Sequence, residues 1–227
     1  EINIMDYDRA LIITPHPDDD ILGAGGYIKK LSESGCEVNV LTVSGHLPPL
    51  YSEEAFETTI KEAAKAHALV GVAHSQYLKI PATKIGDVPI NELNDKVVDA
   101  VNTFKPSLVL CPYPDRHIDH RLVFDAAMVA TRPVGAGANI RLLAAYETLS
   151  ETHWNAPHIE ANFVPNLVVD ITDTIEVKKQ ALSCFVSQIS PFPGPRSIEA
   201  VEALSIFRGT QSGFAYGEGF HIIRMVS

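Results

Sequence analysis

The chain has 227 residues, 46% of them hydrophobic and 20% charged, so it can bury a sizeable core without disulfide help and is not a disordered segment. Its 28 acidic residues against 18 basic ones leave a formal net charge of -10, which argues against nucleic acid or an anionic membrane as the main partner.

Short apolar runs alternate with longer amphipathic ones. The pattern predicts a buried strand over 10–14, then a helix over 22–34 with Leu22, Tyr27, Ile28 and Leu31 as its apolar positions and Gly35 as its stop. A second strand follows over 37–43. A long helix over 52–70 is opened by Ser52, with Glu53 and Glu54 in its first turn. A short strand over 76–80, a helix over 91–104 closed by Lys105-Pro106, a buried strand over 107–111 and a helix over 119–131 come next. Strands over 142–147 and 167–171 and a helix over 174–188 complete the pattern. Continuous apolar strands separated by helices indicate a mostly parallel sheet covered on both faces. The expectation is therefore one Rossmann-like α/β domain over 1–227, with its site at the carboxyl ends of the strands. The stretches 47–52 and 190–196 read as elaborations at one edge. Cys36, Cys111 and Cys184 form no CxxC pair and read as small buried hydrophobes. No run approaches the ~20 apolar residues of a membrane span, and the acidic residues 1–8 lack the basic and apolar regions of a signal peptide, so a cytoplasmic location is expected.

Two clusters carry the chemistry. Pro15-His16-Pro17-Asp18-Asp19-Asp20 falls where the first strand gives way to the first helix. One Asp would suffice to cap that helix; three adjacent carboxylates repel one another, which favours a bound cation. Asp115-Arg116-His117-Ile118-Asp119-His120 follows the strand over 107–111 and so lies on the same sheet edge. The spacing lets His16 and Asp19 point at one ion and His120, in the first turn of the next helix, supply the third ligand. Two His and one carboxylate with an open position make a catalytic arrangement, because zinc lowers the pKa of a water held there to about 7. Asp18, adjacent but not coordinating, is then the general base. His117 can reach over the ion and, protonated, stabilise an oxyanion or donate to a leaving amine. Asp119 can orient His117 or one of the ligand His residues.

These residues carry a resemblance. The chain resembles the LmbE/PIG-L family of zinc-dependent N-acetylglucosaminyl deacetylases, with PHPDDD at 15–20 and HIDH at 117–120 as the matching motifs. The resemblance implies His16, Asp19 and His120 as ligands to one zinc per chain, Asp18 as base and His117 as the electrophilic or acid residue, with Fe2+ as another divalent metal the site could take. It implies an N-acetylated sugar as substrate and a homo-oligomer, trimer or hexamer. Weaker matches run along the chain: Glu62-Ala63, Lys178, Ser187-Gln188, and Arg208-Gly209 with Tyr216–Phe220. Two departures stand out. Asp20 replaces the usual Glu, and Thr59 stands where many members have an Arg thought to hold base and substrate; Arg116 and Arg196 are the candidates to substitute for it.

Other signals are set aside. Gly23-Ala-Gly25-Gly26 lacks the third glycine of a dinucleotide fingerprint, since that position is Ile28, and reads as close helix–sheet packing. His67, His74, His153, His158 and His221 read as surface or hydrogen-bonded structural residues, whereas His46 and Trp154 fall on the site edge. Two competing functions are weighed: a non-haem Fe(II) enzyme, which shares the two-His-one-carboxylate set but needs no base such as Asp18, and a non-catalytic sugar-binding module with a vestigial metal site.

Overall fold

Among residues 7–226, which the computed structural model describes, seven strands form one sheet. They are β1 (Arg9–Thr14), β2 (Glu37–Gly45), β3 (Val72–Pro81), β4 (Leu108–Pro112), β5 (Leu142–Tyr146), β6 (Leu167–Asp170) and β7 (Gly217–Met225). Their order across the sheet is β3-β2-β1-β4-β5-β7-β6. β1 to β5 run parallel to one another, and β7 runs antiparallel between β5 and β6. Residues 1–6 of the acidic N-terminal stretch lie outside the described residues.

Among the described residues six α-helices cover the sheet: α1 (Asp19–Glu33), α2 (Glu53–Val70), α3 (Ile90–Phe104), α4 (Ile118–Ala130), α5 (Ile175–Ser183) and α6 (Ile198–Thr210). Strand alternation sorts the core into two layers. Ala10, Ile12, Val38, Val40, Leu108 and Leu110 face α1, α2, α5 and α6. Leu11, Ile13, Leu41, Val43, Val109 and Cys111 face α3 and α4. Both faces are buried, which is why β1 and β4 read as unbroken apolar runs. No described helix is long and apolar enough to cross a membrane.

The chain leaves β1 towards β2 and later returns to β4 on the other side of β1. The carboxyl ends of β1 and β4 therefore flank the point where strand order reverses, the crevice in which such sheets bind ligands. Ser52 caps α2 as the sequence predicts, its Oγ accepting from Ala55 N at 3.3 Å. A Cβ on Gly23 would overlap the Tyr146 ring, and one on Gly26 would overlap Ile171, so these glycines serve close packing of α1 on the sheet.

The structure departs from the predicted elements in four places. β3 begins at Val72, earlier than predicted, because it is an edge strand whose first residues are largely exposed and carry no apolar alternation. The helix predicted over 174–188 ends at Ser183; tighter turns follow, with Cys184 N, Phe185 N and Gln188 N bonding three residues back, and these turn Phe185 into the core. α6 and β7 are additional elements: α6 leaves Ile206 and Phe207 exposed, and β7 buries only its first four residues. Cys36 and Cys111 are buried as expected, whereas Cys184 is only partly so.

Candidate metal and catalytic centre

The turn after β1 and the first turn of α1 carry His16, Asp18 and Asp19; the loop after β4 and the start of α4 carry Asp115, His117, Asp119 and His120. The two segments meet at Asp19. Its Oδ2 lies 3.0 Å from His16 Nδ1 and 3.2 Å from His120 Nε2, and it accepts from His16 N at 3.1 Å. Each imidazole has a carboxylate on its far side. His16 Nε2 is 3.0 Å from Asp119 Oδ2, and His120 Nδ1 is 3.0 Å from Asp115 Oδ2. Such backing fixes the ring and the tautomer of a metal-binding His. The backing carboxylates are themselves held. Asp119 Oδ2 accepts from Thr83 N at 2.8 Å; Asp115 accepts from His117 N at 3.0 Å and from Thr152 Oγ1 at 2.9 Å.

His16, Asp19 and His120 offer ligand atoms within 4.8 Å of one another. Asp19 Oδ1 and His120 Nε2 are buried without a hydrogen-bond partner among the described residues. Two imidazoles and a carboxylate converging in this way fit a divalent metal with an open position. His16, His117 and Asp119 also lie within that distance. In that group, however, Asp119 Oδ2 already serves His16 and Thr83, and His117 Nδ1 accepts from Asp119 N at 3.1 Å.

Charge follows the geometry. Burial works against ionisation of Asp19, yet His120 and His16 hold its carboxyl well below the usual range. Burial also opposes a charge on His16 and His120, but the carboxylates outweigh it: Asp119 and Asp19 raise His16 to about 9, and Asp19 and Asp115 raise His120 to about 10. His117 moves the other way, pushed down to about 4 by burial and by the neighbouring His16 and His120. It is therefore neutral, and because its Nδ1 accepts the Asp119 N–H, its hydrogen sits on Nε2. With its neighbours charged, His117 favours the neutral ring over the protonated one considered from the sequence. Asp18 is buried, which raises its pKa against the pull of Arg196, whose Nη1 lies 3.6 Å from Oδ2.

The contacts choose among the alternatives that the sequence leaves open. Of the two partners expected for Asp119, its side chain takes His16 rather than His117. Asp20 points away from this cluster and pairs with His67 Nε2 at 2.8 Å, so its shortened side chain does not bear on His16, Asp19 or His120. Arg116 turns to Glu151 at 3.0 Å and stacks 5.6 Å from the Trp154 ring, whereas Arg196 reaches Asp18. Thr59 Oγ1 donates to Ala55 O and lies 3.2 Å from His46 Nδ1. The sequence gives no role to Asp115, Thr83 or Thr152. Asp115 lies inside a cluster the sequence marks, but Thr83 comes from the loop after β3 and adopts a left-handed φ of 65° that no motif announces. A cleft of about 450 Å³ is lined by His46, Tyr51, Thr59, Gln188 and Arg196 among others, and Arg196 connects its wall to Asp18.

The sequence profile of the GlcNAc-PI de-N-acetylase (PIG-L) family matches residues 11–131, more than half of the chain. The chain belongs to this family. Two of the weaker motif matches are one another's partners, Ser187 donating through N and Oγ to Glu62 and Lys178 Nζ lying 2.7 Å from Glu218, whereas a third, Arg208, forks onto Glu147 with two 2.7 Å bonds. Among similar proteins is a diacetylchitobiose deacetylase of Thermococcus kodakarensis, 28% identical, the match covering 96% of this chain and 84% of the relative. The structure of the N,N'-diacetylchitobiose deacetylase of Pyrococcus horikoshii, complexed with an inhibitor, superposes with a TM-score of 0.77 at 27% identity, covering 96% of this chain and 84% of that one. A 4-carboxy-2-hydroxymuconate hydratase of Pseudomonas putida superposes with a TM-score of 0.78 at 18% identity, covering 97% of this chain and 98% of that one. That last likeness speaks to the fold alone, so the PIG-L-family site must carry the argument for activity.

Proposed function

We propose that this chain is a metal-dependent N-deacetylase that hydrolyses the acetamido group of an amino sugar or amino-sugar conjugate, releasing acetate and the free amine. The observation that carries the reading is the convergence of His16 Nδ1 and His120 Nε2 on Asp19 Oδ2, with Asp18 beside them as a buried carboxylate that is not one of the ligands. His16, Asp19 and His120 would hold one zinc ion. When bound, the metal supplies a Lewis acid that polarises the acetyl carbonyl and makes water acidic enough to ionise near neutral pH.

The protein's own residues do the rest. Asp18 accepts a proton from the attacking water and later gives it to the leaving nitrogen. His117 presents Nε2–H to the oxygen of the acetyl group as negative charge develops there. Asp119 and Asp115 keep His16 and His120 in the tautomers that leave a lone pair facing Asp19. The relatives named as diacetylchitobiose deacetylases support an N-acetylated chitooligosaccharide-type substrate. A cytoplasmic location and assembly into a trimer or hexamer belong to the same reading.

The test is a panel of N-acetyl amino sugars, including N-acetylglucosamine and diacetylchitobiose, incubated with zinc-loaded protein and followed by mass spectrometry. The expected products are acetate and an equal amount of free amine. Binding of these sugars with no acetate from any of them would favour the sugar-binding module instead.

A further inference from the structure

We propose that Arg196 is a positioning residue that holds the Asp18 carboxylate in place and links it to the cleft that receives the sugar. The inference rests on the deacetylase reading for its kinetic arm. The starting point is Asp18 itself. Its Oδ2 is buried and has no hydrogen-bond partner among the described residues. A buried carboxylate oxygen left free is costly unless a donor or cation faces it. The group that faces it is Arg196, with Nη1 at 3.6 Å.

The guanidinium is fixed from several sides. Its Nε donates to Ser150 Oγ at 3.1 Å and its Nη1 to Gln188 Oε1 at 3.5 Å, while Nη2 lies 3.9 Å from Glu151 Oε1. Those partners come from the segment after β5 and the turns after α5, so the planar fork ties two separate parts of the chain to α1. The backbone is pinned as well. Arg196 directly precedes Ser197, whose Oγ caps α6 by accepting from Ala200 N at 3.1 Å. Arg196 O accepts from Ser190 N at 3.4 Å, which closes the segment 190–196 on itself. The other arginine at this edge, Arg116, is engaged with Glu151.

Arg196 also forms part of the wall of the cleft of about 450 Å³, with His46, Tyr51, Thr59 and Gln188. A sugar entering that cleft meets the group that holds Asp18, so substrate binding and placement of the base share one side chain. The 3.6 Å separation is longer than a hydrogen bond. Contacts of this kind tighten when substrate displaces water.

The experiment compares wild type with Arg196→Ala, using Arg132→Ala as a control that removes an exposed arginine far from the cleft. In R196A, kcat is expected to fall about 10- to 10²-fold, the effect of a small displacement of a reacting group, with metal content unchanged. Millimolar guanidinium should restore part of the lost kcat in R196A and none in R132A. A kcat within twofold of wild type, a rise in KM alone, or no response to guanidinium would overturn the proposal. Crystal structures of wild type and R196A provide an arm that needs no turnover: Asp18 should leave its wild-type orientation in the variant, and an unmoved Asp18 would refute the inference. If wild type releases no acetate from any substrate, the deacetylase reading fails, and the crystallographic arm still decides what Arg196 does.

Discussion

Replacing Asp115 by Asn keeps the shape of the side chain and tests whether the carboxylate behind His120 sets metal affinity. Asp115 is fully buried and receives donors on both oxygens: His117 N at 3.0 Å, Thr152 Oγ1 at 2.9 Å and His120 Nδ1 at 3.0 Å. An amide has one acceptor oxygen and one NH2 donor. If the oxygen stays towards His120 and Thr152, the NH2 faces the His117 N–H, and a buried donor loses its acceptor at about 1–3 kcal/mol. If it turns the other way, the NH2 drives His120 to accept on Nδ1 and to carry its hydrogen on Nε2, the atom that must offer a lone pair to the metal. Loss of such a backing carboxylate typically weakens metal binding about 10- to 100-fold. That corresponds to about 1.4–2.8 kcal/mol at about 1.4 kcal/mol per tenfold. The assay is competition for zinc against a chromophoric chelator, with thermal melting as a check on folding. Asp20→Asn is the comparison, because Asp20 pairs with His67 away from the ligands and its loss should lower stability while leaving zinc affinity unchanged. Equal zinc affinity for wild type and D115N would refute the role assigned to Asp115.

Three further outcomes are expected. Asp18→Asn keeps the size of the base but cannot accept a proton, so it should retain metal and sugar binding while turnover falls about 10²–10⁴-fold; near-normal turnover on a good substrate would remove Asp18 from the mechanism. His117→Ala should keep its metal and lose about 10²–10³ in kcat, the effect of removing one oxyanion donor, and metal loss measured by atomic absorption would instead make His117 a ligand. Metal uptake should release protons. His16 at about 9 and His120 at about 10 are both charged at neutral pH in the metal-free protein, and each must give up its proton to coordinate. Zinc affinity should therefore rise with pH between about 6 and 8, and a pH-independent affinity with no proton release in weakly buffered titration would contradict the assigned ligands.

Much of the centre is legible in the sequence because it lies at strand ends. β1 and β4 are marked by apolar runs, so the residues that follow them can be assigned to one edge without knowing the packing. That suffices for His16, Asp18, Asp19, His117, Asp119 and His120. The partners that make these residues work are less legible. Asp119 serves His16 across 103 positions of sequence, and Thr83 reaches it from the loop after β3. Arg196 is visible only as a charge at the end of a proline-rich stretch; its bearing on Asp18 depends on how α6 docks, and α6 carries no clear apolar stripe. The tautomer of His117 is set by a backbone N–H two residues on, which composition and spacing do not reveal.

Titrating zinc into chelator-stripped protein while measuring acetate release from an N-acetyl amino sugar tests the central claim in one experiment. The account predicts no release without metal, a linear rise to one equivalent per chain and a plateau beyond it. Release that is indifferent to chelation, or that never appears at any zinc level on any N-acetyl sugar of the panel, would contradict a deacetylase built on His16, Asp19 and His120.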